Sequence, residues 1–393
     1  VAALYKGVKL LMEKETSAAN LNPATIRKIR SSHPENRMAK HFDDKYFESL
    51  SAKDQARLLL CCKSGVDNPD SGMGLYAMNP TDYDDFKPYF DKVIRDYHGI
   101  TGELKHINNW DISTVKDLPK GGKLDLAVIG LGNTSMRVRV GRNLKDFPLP
   151  GNMTQEDRVS LEKRMISAFE CLMKDPEFGG TYNTLTPGNK YSIDEFQYQE
   201  LVDEHIMFKD MSVDPYLLSA GISAHWPYGR GCYVSRDRGF IVWVGEEDHL
   251  RIMCMKKGTI INEVFDRLHK CLAVIEAQPG CVFAKSPDYG YVTSCPTNLG
   301  SGMRASLHLQ LPALTKKGSD VSDAKAVAKS FGLSVRGAGG EHTAAGTDGT
   351  VDISPSARLC IQEADIVAAL YQGSLKLRTK ENLVRWCPNF PPH

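Results

Sequence analysis

Five arginines of this 393-residue chain stand beside turns or within short alternating apolar runs, where they could bind an anion: Arg137, Arg139, Arg251, Arg304 and Arg336. Arg137 and Arg139 alternate in M-R-V-R-V, and alternate residues of a strand point to one face. A guanidinium group can hold two phosphate oxygens at once. Each arginine taken singly would more often be a solvated residue at a sheet edge. Together they predict a polyphosphate site that needs no Walker motif.

Acidic residues are placed in a comparable way. The segment W-V-G-E-E-D-H-L-R carries Glu246, Glu247 and Asp248 directly after an apolar run. Glu341 lies in R-G-A-G-G-E-H-T, whose glycines indicate a loop that could close over a bound molecule and exclude water. A charged turn is ordinarily only the solvated end of a hairpin. With the arginines, however, the carboxylates predict a kinase in which acids bind a cationic acceptor or Mg²⁺.

Cys295 opens the glycine-broken stretch C-P-T-N-L-G-S-G-M-R, which ends in Arg304. The ten cysteines of the chain include no C-x-x-C pair and have no regular spacing, which argues against a zinc site and against a disulfide framework. Structural thiols outnumber reactive ones. The cysteine alone therefore predicts little until its neighbours are considered.

The elements that position these residues fall into two groups. Helical spacing begins at Asn22-Pro23 and continues to residue 60, residues 64–77 form a turn-rich loop, and another helix covers residues 86–97. A polar segment, residues 99–122, is the predicted linker. Strand patterns follow, with helices at residues 156–173 and 260–277. The predicted strands are residues 125–131, 136–140, 240–244, 250–255, 291–295, 305–311 and 333–337.

We therefore predict an α+β fold. A small all-helical N-terminal domain, residues 17–120, precedes a larger domain, residues 121–393, whose mainly antiparallel β-sheet is flanked by helices. The 49 basic residues nearly balance the 48 acidic ones, so no overall field attracts nucleic acid or an anionic membrane. Neither a run of roughly 20 apolar residues nor a signal-peptide pattern appears. These features predict a cytoplasmic protein with neither nucleic acid nor membrane as a partner.

The two ends of the chain share a segment. V-A-A-L-Y-K-G opens the sequence, and V-A-A-L-Y-Q-G recurs from Val367, with six of seven positions identical. Two ordinary amphipathic helices could share such residues, but similarity over a long period is typical of tandem units. We interpret residues 1–16 as the closing helix of a preceding copy or an N-terminal extension. This predicts a covalently linked second domain, with a homodimer as the alternative.

Several motifs together resemble the phosphagen (guanidino) kinases, which include arginine, creatine, taurocyamine and lombricine kinases. The motifs are S-M-R-V-R-V-G-R, W-P-Y-G-R-G, W-V-G-E-E-D-H-L-R-I-M, C-P-T-N-L-G-S-G-M-R-A-S-L-H and V-R-G-A-G-G-E-H-T, and the resemblance runs from about Met38 to Leu377. It implies reversible transfer of the γ-phosphoryl group of Mg-ATP to a guanidino nitrogen, with Mg²⁺ held by the nucleotide phosphates rather than by protein ligands.

The resemblance also implies roles for individual residues. The five arginines would clamp the phosphates, and His205 and His308 would lie near the adenosine. Glu247 and Glu341 would bind the guanidinium group, with Cys295 as a thiolate against it. The short loop at residues 64–77 resembles that of the arginine kinases. The residues expected to bind the α-carboxylate of L-arginine are Ser71, Gly72, Met73 and Tyr76.

Three alternatives stay open on the sequence. Taurocyamine and lombricine kinases can share Glu341, and an inactive nucleotide-binding tandem domain is the third reading. Several positions depart from the family pattern. At one of them, Val213 stands where many arginine kinases have an arginine to which the acid at Asp70 bridges the domains. The departure predicts weak coupling between loop closure and substrate binding.

Overall fold

The computed structural model describes residues 20–132, 134–337 and 344–386. Its first part consists of short helices, as the sequence predicts. Asn22 caps the first of them by accepting a hydrogen bond from the backbone N–H of Thr25, and Pro23 occupies its first turn. The helices of this part are α1 (Pro23–Ser32), α2 (Arg37–His41), α3 (Asp44–Ser49), α4 (Ala52–Asp67), α5 (Asp82–Asp85) and α6 (Lys87–His98).

The remaining helices belong to the larger part. They are α7 (Gln155–Leu172), α8 (Glu195–Asp203), α9 (Pro215–Ser219), α10 (Ile261–Glu276), α11 (Ser322–Ser330) and α12 (Glu363–Trp386). The predicted helices at residues 156–173 and 260–277 thus agree with α7 and α10 to within one residue at each end. None of the helices in the described ranges is long and apolar enough to cross a membrane.

A single antiparallel sheet forms the centre of the larger part. Among the described residues it has eight strands in the order β2-β3-β4-β5-β1-β8-β10-β9, and β6 and β7 form a separate short pair. The strands are β1 (Thr134–Arg142), β2 (Gly180–Thr184), β3 (Gly231–Ser235), β4 (Phe240–Val244), β5 (Leu250–Gly258), β6 (Lys285–Ser286), β7 (Gly290–Tyr291), β8 (Met303–Gln310), β9 (Leu333–Gly337) and β10 (Thr350–Pro355). The predicted α+β class is confirmed.

The two faces of this sheet have different environments. Helices α7, α10 and α12 cover one face, where Val138, Val140 and Leu268 are buried in the main apolar core. On the other face, Ile241 and Met253 pack against Val202 and the segment that follows α8. Because strand side chains alternate, Arg137 and Arg139 point to this second face.

The predicted linker is docked onto the larger part. The buried carboxylate of Glu363 accepts hydrogen bonds from Asn108 Nδ2 at 2.6 Å and from the backbone N–H of Asn109 at 2.8 Å. Trp110 stacks on His269 with ring centroids 4.7 Å apart. Residues 99–122 are therefore anchored to α10 and α12. These contacts fix the direction in which the chain leaves the small helical part.

Two predicted strands are wrong. Residues 125–131 contain a 3-10 turn, Leu126–Ile129, because Asp125 Oδ1 accepts a hydrogen bond from the backbone N–H of Ala127 and Gly130 ends the turn at φ 70°. In residues 291–295 only Tyr291 belongs to a strand, β7. The next backbone groups bind side chains instead: Thr293 O accepts from Tyr83, and Ser294 N–H donates to Asp248.

Candidate active site

The strand register places all five arginines on the open face of the sheet. Arg139 on β1 pairs directly with Arg304 on β8, and directly opposed residues of antiparallel strands share a face. Arg251 on β5 is opposite Gly141, and Arg336 on β9 is opposite Asp352 on β10. The five guanidinium groups, which lie far apart in sequence, therefore meet on one surface.

A cavity of about 780 Å³ lies over this surface. We call it the arginine cavity, lined by Arg137, Arg139, Arg304, Arg336, His205 and His308 among others. Six of the seven residues expected to bind nucleotide thus line one space. The seventh, Arg251, lies beside it, with its guanidinium 5.4 Å from the ring centroid of Trp243, a lining residue.

Burial and mutual repulsion dominate the electrostatics of the cavity. Burial lowers the pKa of the Arg304 guanidinium to about 10, and neighbouring Arg336 and Arg137 contribute to the same shift. Burial also holds the pKa of Arg139 well below its usual range, with Arg251 as the largest repulsive neighbour. Clustered, partly dehydrated cations favour an anionic ligand because the ligand relieves this repulsion.

Two carboxylates act as counter-ions in the cavity: Asp352, which sequence reasoning did not assign, and Glu246, which it expected to bind a cationic acceptor or Mg²⁺. Asp352 is buried, and its Oδ1 accepts a hydrogen bond of 2.7 Å from Arg304 Nη2, while its Oδ2 lies 3.7 Å from Arg137 Nη2. Glu246 Oε2 lies 3.0 Å from Arg251 Nη2. The T-V-D-I-S segment does alternate, which could have indicated Asp352, but β10 was absent from the predicted strands.

Glu247 lies where the turn after β4 meets the small helical part. Burial and the charges of Asp248 and Glu246 raise the pKa of its carboxyl to about 7. Its backbone carbonyl accepts a 2.8 Å hydrogen bond from Ser294 Oγ. Asp248 Oδ1 in turn accepts from the Ser294 backbone N–H at 2.7 Å. These bonds join the Glu247 turn to the residue that precedes Cys295.

Cys295 is buried next to the same carboxylates. Its Sγ lies 3.1 Å from Thr297 Oγ1. Burial raises the pKa of the thiol to about 12, and the negative charge of Glu247 contributes. Burial and the charge of Glu247 therefore oppose the thiolate that the resemblance implies, and a neighbouring cation would favour it.

The expected substrate loop divides into two parts. Its first part is held within the small helical region: Ser71 Oγ accepts from the Gly74 backbone N–H at 3.0 Å, and Gly72 O accepts from Arg37 Nη1 at 2.8 Å. Met73 is buried, and its carbonyl accepts from the backbone N–H of Met38.

The second part of the loop contacts the segment that contains Ser294 and Cys295. Ala77 N–H donates to Ser294 O at 2.9 Å. Tyr76 packs against the buried cluster that contains Cys295, and burial, followed by the charges of Cys295 and Glu247, raises the pKa of its phenol. We call Glu247, Asp248, Cys295 and Tyr76 the thiol–acid cluster. Glu341, the other expected acid, lies outside the described residues.

In the arginine kinases that the chain resembles, the acid at Asp70 pairs with an arginine, but in this structure Asp70 has a different partner. Tyr216 Oη on α9 donates to Asp70 Oδ2 at 3.2 Å. Nearby, Asn68 Nδ2 donates to Ser219 Oγ at 2.7 Å, and Ser64 Oγ donates to Tyr216 O at 3.0 Å. Val213 is 86% exposed. A group of uncharged donors thus links the substrate loop to α9.

Comparisons with known proteins agree with this geometry. Two family models match: the ATP:guanido phosphotransferase N-terminal domain over residues 32–95, and the C-terminal catalytic domain of the same family over residues 160–384. The chain is 37% identical over 346 residues to arginine kinase of Limulus polyphemus, covering 86% of this chain and 90% of that protein. It is 37% identical over 391 residues to arginine kinase of Anthopleura japonica, covering 96% of this chain and 51% of that protein.

Solved structures give the same result. The duplicated taurocyamine kinase from Schistosoma mansoni with bound transition state analog components matches with a TM-score of 0.77 at 29% identity, covering 95% of this chain and 50% of that one. Lombricine kinase matches with a TM-score of 0.76 at 28% identity, covering 89% of this chain and 93% of that one. The chain thus spans about half the length of the Anthopleura and Schistosoma proteins. On the two family models and on these identities, it belongs to the ATP:guanido phosphotransferase family.

Proposed function

We propose that this chain transfers the γ-phosphoryl group of ATP reversibly to the guanidino group of L-arginine, giving phosphoarginine and ADP. The observation that carries the proposal is the stretch from Cys295 to Arg304. It ends at one side in the thiol–acid cluster and at the other in the arginine cavity. A cationic acceptor and an anionic donor would therefore meet across a single turn.

The residues of the chain contribute alignment and charge. The arginines of the cavity bind phosphate oxygens and neutralise the charge that develops on the transferring group. As the new P–N bond forms and the bond from the γ-phosphorus to the β-bridging oxygen breaks, the attacking nitrogen loses a proton. Glu247, with its pKa raised to about 7, is the group suited to accept that proton near neutral pH. In-line positioning provides much of the remaining rate enhancement.

Magnesium is proposed as part of the nucleotide substrate. The donors that dominate the arginine cavity are guanidinium groups, which suit phosphate oxygens, and its carboxylates Asp352 and Glu246 already pair with arginines. These residues fit an ion held on the phosphates of ATP rather than in a protein cage. When bound there, Mg²⁺ would neutralise phosphate charge and orient the triphosphate.

The choice of L-arginine rests on the short substrate loop and on the identities to arginine kinases. Taurocyamine and lombricine are the alternative acceptors, because the solved structures above carry those names. An inactive nucleotide-binding unit is the third candidate. We also propose a helical substrate domain at residues 17–120, a catalytic domain at residues 121–393, a second kinase unit or a homodimer mate as partner, and energy buffering in the cytoplasm.

A side-by-side assay tests the proposal. Purified protein with Mg-ATP would be offered L-arginine, taurocyamine, lombricine, glycocyamine and creatine, and ADP production and the phosphorylated product would be measured for each. We expect the highest kcat/KM with L-arginine. Higher kcat/KM with taurocyamine or lombricine would assign that substrate instead, and nucleotide binding without turnover of any acceptor would identify an inactive unit.

A further inference from the structure

Arg358 contacts both halves of the turn between Cys295 and Arg304. Its Nη1 donates to Asn298 Oδ1 at 2.9 Å and to Thr297 O at 3.3 Å. Its own backbone carbonyl accepts from Ser301 N–H and from Ser301 Oγ, each at 3.1 Å. One residue from the segment after β10 thus holds the turn on the cysteine side through its side chain and on the arginine side through its main chain.

The turn is closely packed against this segment. Gly300 has φ 97°, and a Cβ built on it would lie 2.5 Å from Arg358 O and 2.8 Å from Leu359 Cα. Ser301 and Leu299 are fully buried. The backbone of residues 358–359 therefore sets the path of the glycine half, whatever side chain occupies position 358.

Charges from both sides of the site act on the guanidinium of Arg358. Its pKa is lowered chiefly by burial and further by Arg336 of the arginine cavity, whereas Glu247 and Cys295 act to raise it. His98 of α6 adds a contact from the small helical part, since its Nε2 lies 2.9 Å from Pro296 O. The turn is thus supported from both parts of the chain.

We propose that Arg358 is a positioning residue, whose side chain sets the position of Cys295 relative to Arg304 by fixing Thr297 and Asn298. The proposal rests on the proposed function, because it assigns a role within the same site. Arg358 would then have two separate roles. Its side chain aligns the guanidino acceptor through Thr297 and Asn298, and its backbone carbonyl holds the half of the turn nearer Arg304 through Ser301.

Kinetics of Arg358→Lys test this separation. Lysine keeps the charge, but its ammonium ends one bond nearer the main chain than Nη1, the nitrogen that contacts both Thr297 and Asn298, so it should not reproduce both contacts. We expect kcat for the guanidino substrate to fall about tenfold, because misalignment slows transfer, while the KM for Mg-ATP stays within about twofold. Arg236→Lys, an exposed arginine after β3, is the matched control and should leave both constants unchanged. A rise in the KM for Mg-ATP as large as the fall in kcat for the guanidino substrate would overturn the proposal.

A double-mutant cycle with Asn298→Ala isolates the contact. Asn298→Ala should lower kcat several-fold by itself, and adding it to Arg358→Lys should cost roughly nothing more, because both changes remove the same bond. Additive losses would show that the contact does not carry the effect. If Arg358→Lys is poorly stable, the single variant Asn298→Ala still tests the contact, since Asn298 is partly exposed at the end of a 3-10 turn.

Hydrogen exchange separates this proposal from the proposed function, because it needs no substrate. In Arg358→Lys, amides of residues 297–299 should exchange at least about fivefold faster, while Ser301, whose N–H is bound to the carbonyl at position 358, should keep its protection. If no guanidino compound is turned over but this pattern appears, the proposed function fails and the positioning role stands. Unchanged exchange at residues 297–299 would refute the positioning role.

Discussion

The arginine cavity and the thiol–acid cluster are built in different ways. The cavity is made of side chains on adjacent strands of one sheet, and its cations already have internal counter-ions, Asp352 and Glu246. The thiol–acid cluster is assembled from turns: Glu247 after β4, Cys295 after β7 and Tyr76 from the substrate loop. In it the pKa values of the Glu247 carboxyl and the Cys295 thiol are raised.

This difference indicates a division of labour. A sheet keeps charges in place without a ligand, so the arginine cavity, the side proposed to bind phosphates, is preorganised and its repulsion is partly relieved by Asp352 and Glu246. The thiol–acid cluster, the side proposed to bind the guanidino acceptor, has acids in a buried space, which disfavours their ionisation and makes a nearby cation favourable. Affinity for nucleotide should therefore depend little on the acceptor side, whereas acceptor binding should be sensitive to protonation and to contacts between the two parts.

The largest effect should come from breaking the preorganised side. Arg304→Met removes the cation shared with Asp352 and leaves that carboxylate buried without its closest partner. We expect kcat/KM for Mg-ATP to fall roughly 10³-fold, the scale of losing an arginine that stabilises a transferring phosphoryl group. Steady-state kinetics would measure this, with Arg236→Met as control. A loss below about tenfold would mean that the cavity does not bind the transferring phosphates.

Cys295→Ala tests the assembled side at its centre. Turnover should fall roughly 10²-fold, because the group beside the guanidinium is lost, while the dissociation constant for nucleotide should stay within about twofold. Calorimetric nucleotide titration and kcat measurements would show the contrast. Cys171→Ala, an exposed cysteine of α7, provides the control. Comparable losses in nucleotide affinity and turnover would contradict the separation of the two sides.

Protonation should affect only the acid side. Glu247 is ionised above its pKa of about 7 and neutral below it, so affinity for a guanidinium cation should drop as the pH falls through that value. Between about pH 8 and about pH 6 the dissociation constant for L-arginine should rise about tenfold, since the ionised fraction falls by that factor. Titrations in which Glu247→Gln shows the same pH dependence would assign it to another group. Nucleotide affinity, measured in parallel, should lack this step.

The smallest effect should come from the contact between the parts. Tyr216→Phe removes the hydroxyl that donates to Asp70, and a partly exposed hydrogen bond of this kind contributes about 1 kcal/mol at most. We expect the KM for the acceptor to rise about threefold and the weak synergy that the sequence predicts between the two substrates to disappear. Strong positive synergy in the unmodified protein would show that uncharged donors couple the parts as well as an ion pair does.

Sequence patterns predicted the regular parts of this molecule. Strand alternation indicated that Arg137 and Arg139 share a face, and capping signals such as Asn22-Pro23 located helices, because both depend on residues close together in the chain. The short strands β2, β3 and β10 were missed. In β3 all five residues are buried, so G-C-Y-V-S shows no alternation to detect.

Site residues could be predicted where they belong to a local sequence motif. They could not be predicted where their role depends on contacts between residues that are far apart in the chain. Arg358 is bound to Thr297 and Asn298, and Asp352 to Arg304, and neither pairing follows from spacing along the chain. The same holds for Tyr216, whose partner Asp70 lies in another part of the sequence. The burial that raises the pKa of the Cys295 thiol is likewise a property of the assembled structure and not of the local sequence.

The position of β1 in the sheet has a kinetic consequence. This strand carries Arg137 and Arg139, and it lies between β5 and β8, both of which follow it far along the chain. During synthesis one edge of β1 stays unpaired until β5 has been made and the other until β8 has been made, and contacts of such long sequence separation slow folding. The arginine cavity therefore forms late. Binding of a polyphosphate would mark the point at which a nascent or refolding chain has completed its sheet.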